Sequence, residues 1–137
     1  MPVRSFLDSN VLVYTDDRSA PEKQETALAL LELCRRRSSG VVSSQVLQEY
    51  FVTATRKLGV SAEIARRKVE IFAHFDLVLI GLEDILSAID LHRLHGFSLW
   101  DGLVVRAAVR SGCSVLYSED LQPGRRVDGL QIVNPFA

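Results

Sequence analysis

A chain of 137 residues, 47% of them apolar and 24% charged, holds enough apolar material for one buried core and is far from the composition of a disordered segment. Its net charge of −1 excludes nucleic-acid binding by bulk positive charge, so any contact to phosphate must be local, although thirteen of the sixteen cationic residues are arginine. No run approaches the roughly 18 apolar residues of a membrane span, and Met1-Pro2-Val3-Arg4 lacks an apolar stretch of signal-peptide length, so a cytoplasmic protein without membrane contact is expected.

Val3 to Leu7 reads as a short apolar strand, and Asp8-Ser9-Asn10 after it favours a turn or a helix cap. From Pro21 to Arg37, Ala27, Leu30, Leu31 and Cys34 recur at spacings of three and four, with Glu22 and Glu25 early and Arg35-Arg36-Arg37 late. This predicts a helix that stops near Gly40. Val41-Val42-Ser43 is a buried-strand candidate, and Ser44 is the expected cap of a helix to Leu58 with Val46, Leu47, Tyr50, Phe51 and Ala54 on its apolar face. Ser61 is placed to cap the next helix, whose Ile64, Ala65, Val69 and Phe72 are expected to point inward.

Leu77 to Ile80 supplies another strand, and a helix runs from Leu82 to about His95. Ser98-Leu99-Trp100-Asp101 opens the most apolar helix, where only Gly102, Arg106 and Arg110 form a narrow polar strip. Ser114 to Tyr117 is a strand, Ser118 to Gly129 a polar loop, and Leu130 to Val133 a last strand. Cys34 and Cys113 lack the paired spacing of a zinc site or a disulfide framework and are expected to be reduced and buried. Strands alternating with helices imply an α/β fold in a single domain, residues 1–137, with a mostly parallel sheet of about four to five strands flanked by helices.

Sites in such sheets form beyond the carboxyl ends of the strands, where Asp8 and Asp120 both fall. On helical spacing Asp101 aligns with Val104, Val105 and Ala108 and so faces the core side. Each acid also has an ordinary local explanation. Asp101 completes a capping-box spacing with Ser98, and Asp8 suits an N-cap or turn. Glu49 suits a solvated helix surface, and Glu119-Asp120 suit a loop before Pro123-Gly124.

Taken together, Phe6-Leu7-Asp8-Ser9-Asn10-Val11-Leu12, Gln48-Glu49-Tyr50-Phe51, Ser98-Leu99-Trp100-Asp101 and Leu116-Tyr117-Ser118-Glu119-Asp120-Leu121 resemble, in order and spacing, the PIN-domain family. The likeness is greatest to the single-domain VapC-type toxins of prokaryotic toxin–antitoxin pairs. It implies a PIN-like fold and a metal-dependent endoribonuclease, the toxin of such a pair. Asp8, Glu49, Asp101 and Asp120 would hold Mg²⁺ or Mn²⁺, with Asn10 and Ser118 orienting them by hydrogen bonding. Glu119 stands beside Asp120 and could exchange roles with it. A divalent ion would lower the pKa of bound water and neutralise charge developing on the phosphate, and an all-oxygen set suits Mg²⁺ rather than zinc. The implied partners are an RNA substrate, a small cognate antitoxin and a second copy of the chain in a homodimer.

Other readings carry less. His92 and His95 share a helix face without a third ligand, the pattern of a solvated pair. Arg35-Arg36-Arg37 suit a helix carboxyl end, whereas Arg125-Arg126 lie on the loop nearest the acids and are the better candidates for RNA phosphates. A haloacid-dehalogenase-type phosphatase also starts with a strand ending in aspartate, but Asn10 occupies the place of its second aspartate and cannot act as general acid and base. The main alternative is a non-catalytic PIN-like module that binds RNA or protein.

Overall fold

The structure is a computed structural model that describes residues 3–137; Met1 and Pro2, part of the amino-terminal stretch considered above, lie outside the described residues. The elements in chain order are β1 (Ser5–Leu7), α1 (Ser9–Tyr14), α2 (Pro21–Arg37), β2 (Gly40–Ser43), α3 (Ser44–Lys57), α4 (Ala62–Phe72) and β3 (Asp76–Val78). They continue with α5 (Leu82–His95), α6 (Leu99–Arg110), β4 (Val115–Tyr117), β5 (Arg126–Val127) and β6 (Leu130–Val133). One sheet takes in all six strands in the order β3-β2-β1-β4-β6-β5. Every neighbouring pair is parallel except β5 with β6.

The sixth strand is more than the four to five expected. Its origin is a two-residue hairpin: Asp128 at φ 47° and Gly129 at φ 82° join Val127 to its partner Leu130. Asp-Gly is the pair that such a turn favours, because both central residues need positive φ. Val127 is buried while Arg126 stays exposed, so half of this stretch of the polar loop belongs to the core.

Several boundaries shift for local reasons. Of the turn or helix cap expected at Asp8, the structure shows the cap: a short helix begins there, and the Asp8 side chain accepts from the Ser9 amide. Helix α2 is closed by Ser38, which follows its last residue and takes φ 51°, and Gly40 is the first residue of β2 instead of the helix stop. A Cβ on Gly40 would lie 2.6 Å from the Phe75 ring, so the small residue is required by packing. Ser43, not Ser44, caps α3 by accepting from the Val46 amide at 3.3 Å, while the Ser44 hydroxyl accepts from Ile80 at 3.1 Å. Ile64, expected inside, is 58% exposed, and Ala65 and Phe72 carry the buried face of α4.

The first turn of α6 meets the middle of α5 through Gly102. It is buried against Ala88 of α5, not part of a polar strip, and an added Cβ would stand 2.9 Å from the Ala88 carbonyl oxygen. Arg106 and Arg110, the rest of that strip, both donate to buried Asp84 on α5. Burial works against the charge of Asp84, but bonds from the Gly81 amide and the two arginines prevail and hold its carboxyl below the usual range. Cys34 and Cys113 are free and buried, as expected. Among the described residues no helix is long and apolar enough to cross a membrane.

Candidate active site

Strand pairing brings the first two site residues together. Leu7 at the end of β1 pairs with Tyr117 at the end of β4, so Asp8 and Ser118 emerge side by side, and the Asp8 amide donates to the Tyr117 carbonyl at 3.1 Å. From β1 the sheet extends to β2 on one side and to β4 on the other. The chain therefore leaves the two strand ends in opposite directions and opens a crevice there.

Asp8 is buried at the mouth of this crevice. Its Oδ1 accepts from the Ser9 amide at 2.7 Å, and its Oδ2 from the Ser118 hydroxyl at 2.7 Å. The Asn10 amide nitrogen lies 3.4 Å from Asp8 Oδ2, 3.3 Å from Ser118 Oγ and 3.2 Å from Asp120 Oδ2, sharing two protons among three acceptors. Asn10 Oδ1 accepts from the Glu119 amide at 3.1 Å, and Ser118 Oγ from the amides of Asp120 and Leu121. Asn10 and Ser118 thus fix the turn after β4 against the start of α1.

Glu49 on α3 and Asp101 in the first turn of α6 come near enough from two further helices for Glu49 to act on Asp8, and Asp101 on Glu49, through charge. Ser98 caps α6 by accepting from the Asp101 amide at 3.0 Å, and its side chain also bonds the Asp101 carboxylate, which partly offsets the effect of burial there. Gln45, one turn before Glu49, donates to Glu49 Oε2 at 3.3 Å.

Electrostatics tie the four acids into one cluster. Burial, assisted by the charges of Glu49 and Asp120, pushes the Asp8 carboxyl up to about 6 against the lowering effect of its bonds from Ser118 and Ser9. Glu49 is raised first by burial and then by Asp101 and Asp120, and Asp101 first by burial and then by Asp120. Among the described residues none of the four is in an ion pair, whereas Asp16, Asp84 and Glu119 each have one or more cationic partners.

Glu119 turns away from the cluster. Its carboxylate accepts from the Tyr14 hydroxyl at 2.6 Å and from Lys23 at 2.7 Å; these bonds outweigh burial and lower its pKa. Only its backbone amide joins the Asn10 network. His92 is bonded at Nδ1 to the Phe97 carbonyl at 2.6 Å, and Arg125 lies 4.1 Å over the Phe97 ring, so Arg126 is the more open of the two loop arginines. Tyr14, Lys23 and Gln45 are the neighbours that sequence reasoning misses. Gln45 has a usable signal in its four-residue spacing from Glu49, while Tyr14 and Lys23 meet Glu119 only through the fold.

As the side chains stand, no three Asp, Glu, His or Cys among the described residues converge closely enough to enclose an ion. Each of the four takes neutral donors: Asp8 from Ser9 and Ser118, Glu49 from Gln45, Asp101 from Ser98 and Asp120 from Asn10. The donor set remains all oxygen and unneutralised. That suits a hard cation such as Mg²⁺, which typically binds through one or two carboxylates and retains its own waters.

The PIN domain family model matches residues 5–130. The chain belongs to the PIN-domain family. No curated protein matches it, but the PIN fold recurs in solved structures. A toxin–antitoxin complex from Klebsiella pneumoniae superposes with a TM-score of 0.71 at 17% identity, over 96% of this chain and 97% of that one. VapC20 of Mycobacterium tuberculosis, a sarcin–ricin loop cleaving toxin, gives 0.69 at 16% identity over 85% and 89%. DNA-bound VapBC from Salmonella typhimurium gives 0.66 at 20% identity over 96% and 97%. At these identities the likeness is one of fold: this PIN domain has the mostly parallel α/β architecture of VapC toxins.

Proposed function

We propose that this PIN domain is a divalent-metal-dependent endoribonuclease and the toxin of a toxin–antitoxin pair. The observation that carries the reading is the cluster of Asp8, Glu49, Asp101 and Asp120 beyond the carboxyl ends of β1 and β4, where each charge acts on at least one of the others and none, among the described residues, is in an ion pair. Sustaining such a charge concentration for structure alone is unfavourable, because burial and mutual repulsion both oppose ionisation. These four acids would hold Mg²⁺ or Mn²⁺, which when bound supplies an activated water and neutralises the phosphate. Asn10 and Ser118 hold the Asp8 and Asp120 carboxylates in fixed orientations. Asp8, with its carboxyl near 6, is mostly ionised at neutral pH and becomes protonated in mild acid.

The two other partners find separate surfaces. Between α2 and α4 lies an apolar cleft of about 510 Å³ lined by Leu28, Leu31, Ile71, Phe72 and Phe75. This cleft would take apolar residues of an antitoxin, in keeping with a solved structure described as a toxin–antitoxin complex. Leu82, Ile85, Leu86 and Ile89 form an exposed stripe along α5, which suits a two-fold contact with a second copy. Incubation of purified protein with mixed RNA tests the catalytic reading: shortening of RNA with Mg²⁺ or Mn²⁺ and none with chelator is expected. A mobility shift without shortening would favour the binding-module alternative. Co-purification with the product of an adjacent small gene, and growth arrest when the chain is expressed alone, test the toxin assignment.

A further inference from the structure

Gln45 lies in the first turn of α3 and is only 7% exposed. Its amide nitrogen donates both to Glu49 Oε2 at 3.3 Å and to the Trp100 carbonyl in α6 at 3.1 Å. Its own carbonyl, Oε1, is buried with no hydrogen-bond partner, the one such side-chain atom among the described residues. We propose that Gln45 is a positioning residue that braces Glu49 against the first turn of α6 and so sets the separation between Glu49 and Asp101 for a divalent cation. This rests on the nuclease reading above and adds a component to it.

Three features carry the inference. The fold has little use for the amide: the Trp100 carbonyl lies inside α6, where the helix supplies a donor from Val104, and the neighbouring Val46 and Leu47 show that the position tolerates apolar surroundings. A buried acceptor left unsatisfied is destabilising, so an apolar side chain of the same length would serve packing better. The donor is also neutral. A lysine at this distance would cancel the charge of Glu49, whereas an amide orients one carboxylate oxygen and leaves the negative charge available to a cation. Finally, α3 and α6 both rest on β2 but otherwise pack on different helices, α3 on α1 and α4 and α6 on α5, and the Gln45 bond to the Trp100 carbonyl ties the two together directly beside Glu49 and Asp101.

The test uses Gln45→Met, which keeps length and removes both the donor and the orphaned acceptor, with Gln45→Leu as a second variant should methionine overpack. Metal-free melting temperatures are expected to equal or exceed that of the wild type. Mn²⁺ affinity by titration calorimetry is expected to fall about tenfold or more, with kcat on RNA reduced and KM little changed. Mn²⁺ affinity within twofold of wild type in both variants would overturn the positioning role alone. So would a loss of affinity that only follows a lower metal-free melting temperature, or failure of both variants to fold. A wild type that takes up no Mn²⁺ would overturn the nuclease reading and this inference together.

Discussion

Asp8 shows how burial serves a site at the expense of stability. Its folded carboxyl is raised from 3.8 to about 6, so the native state binds its proton more tightly than the unfolded chain does. The contribution is small below about pH 4, becomes increasingly destabilising as pH rises from there to about 6, and levels off at about 3 kcal/mol near neutrality. Asp8→Asn removes that cost but also loses one acceptor for Ser118. The metal-free variant is therefore expected to gain about 1–2 kcal/mol at pH 7 and nothing at pH 4. Urea unfolding at the two pH values reads this out, and equal differences at both would show that repulsion and burial are not the cause. The neighbouring acids separate in the same way. Asp120→Asn is expected to weaken metal affinity, whereas Glu119→Gln loosens a partly exposed ion pair with Lys23 and changes stability by about 0–1 kcal/mol. A metal titration giving the reverse order would move the fourth ligand to Glu119. Sequence shows that acids stand at the ends of apolar runs, but not that Glu119 is occupied by Tyr14 and Lys23, because those partners lie 105 and 96 residues away.

At the scale of elements, what was legible is what local chemistry controls. Pro21 at the first position of α2 and three arginines in its last turn mark a helix without any tertiary information. Ser61 and Ser98 likewise cap the helices that they precede. Strand β5 is missed within the expected polar loop: it is only two residues long and sits among polar neighbours, although Asp128-Gly129 is a turn signal beside it. By contrast, Gly102 looks like a polar interruption because sequence cannot reveal that α5 presses on it. Gly102→Ala is expected to destabilise by about 1–3 kcal/mol despite the better helix propensity of alanine, since the obstacle 2.9 Å away is backbone that cannot swing aside. A thermal melt no lower than wild type would mean that α5 yields easily at Ala88. Asp84, anchored by Arg106 and Arg110, argues that it does not.

For the whole molecule, parallel order dictates where the chemistry lies. β1 and β4 are adjacent although more than a hundred residues apart in sequence, and only their pairing turns Asp8, Asn10, Ser118 and Asp120 into one network. Glu49 and Asp101 are then carried in by α3 and α6 from either side. The apolar cleft between α2 and α4 and the stripe on α5 lie on other elements, so inhibition, assembly and catalysis can occupy separate surfaces of one small fold. The most direct measurement is RNA cleavage by purified Asp8→Asn and Asp101→Asn variants in saturating Mg²⁺ or Mn²⁺, alongside their metal-free melting curves. Loss of cleavage by about a hundredfold or more in both, with folding retained, is the expected result for acids that act as one metal-dependent unit. Cleavage near the wild-type rate by both folded variants, with contaminating nuclease excluded, would contradict the site.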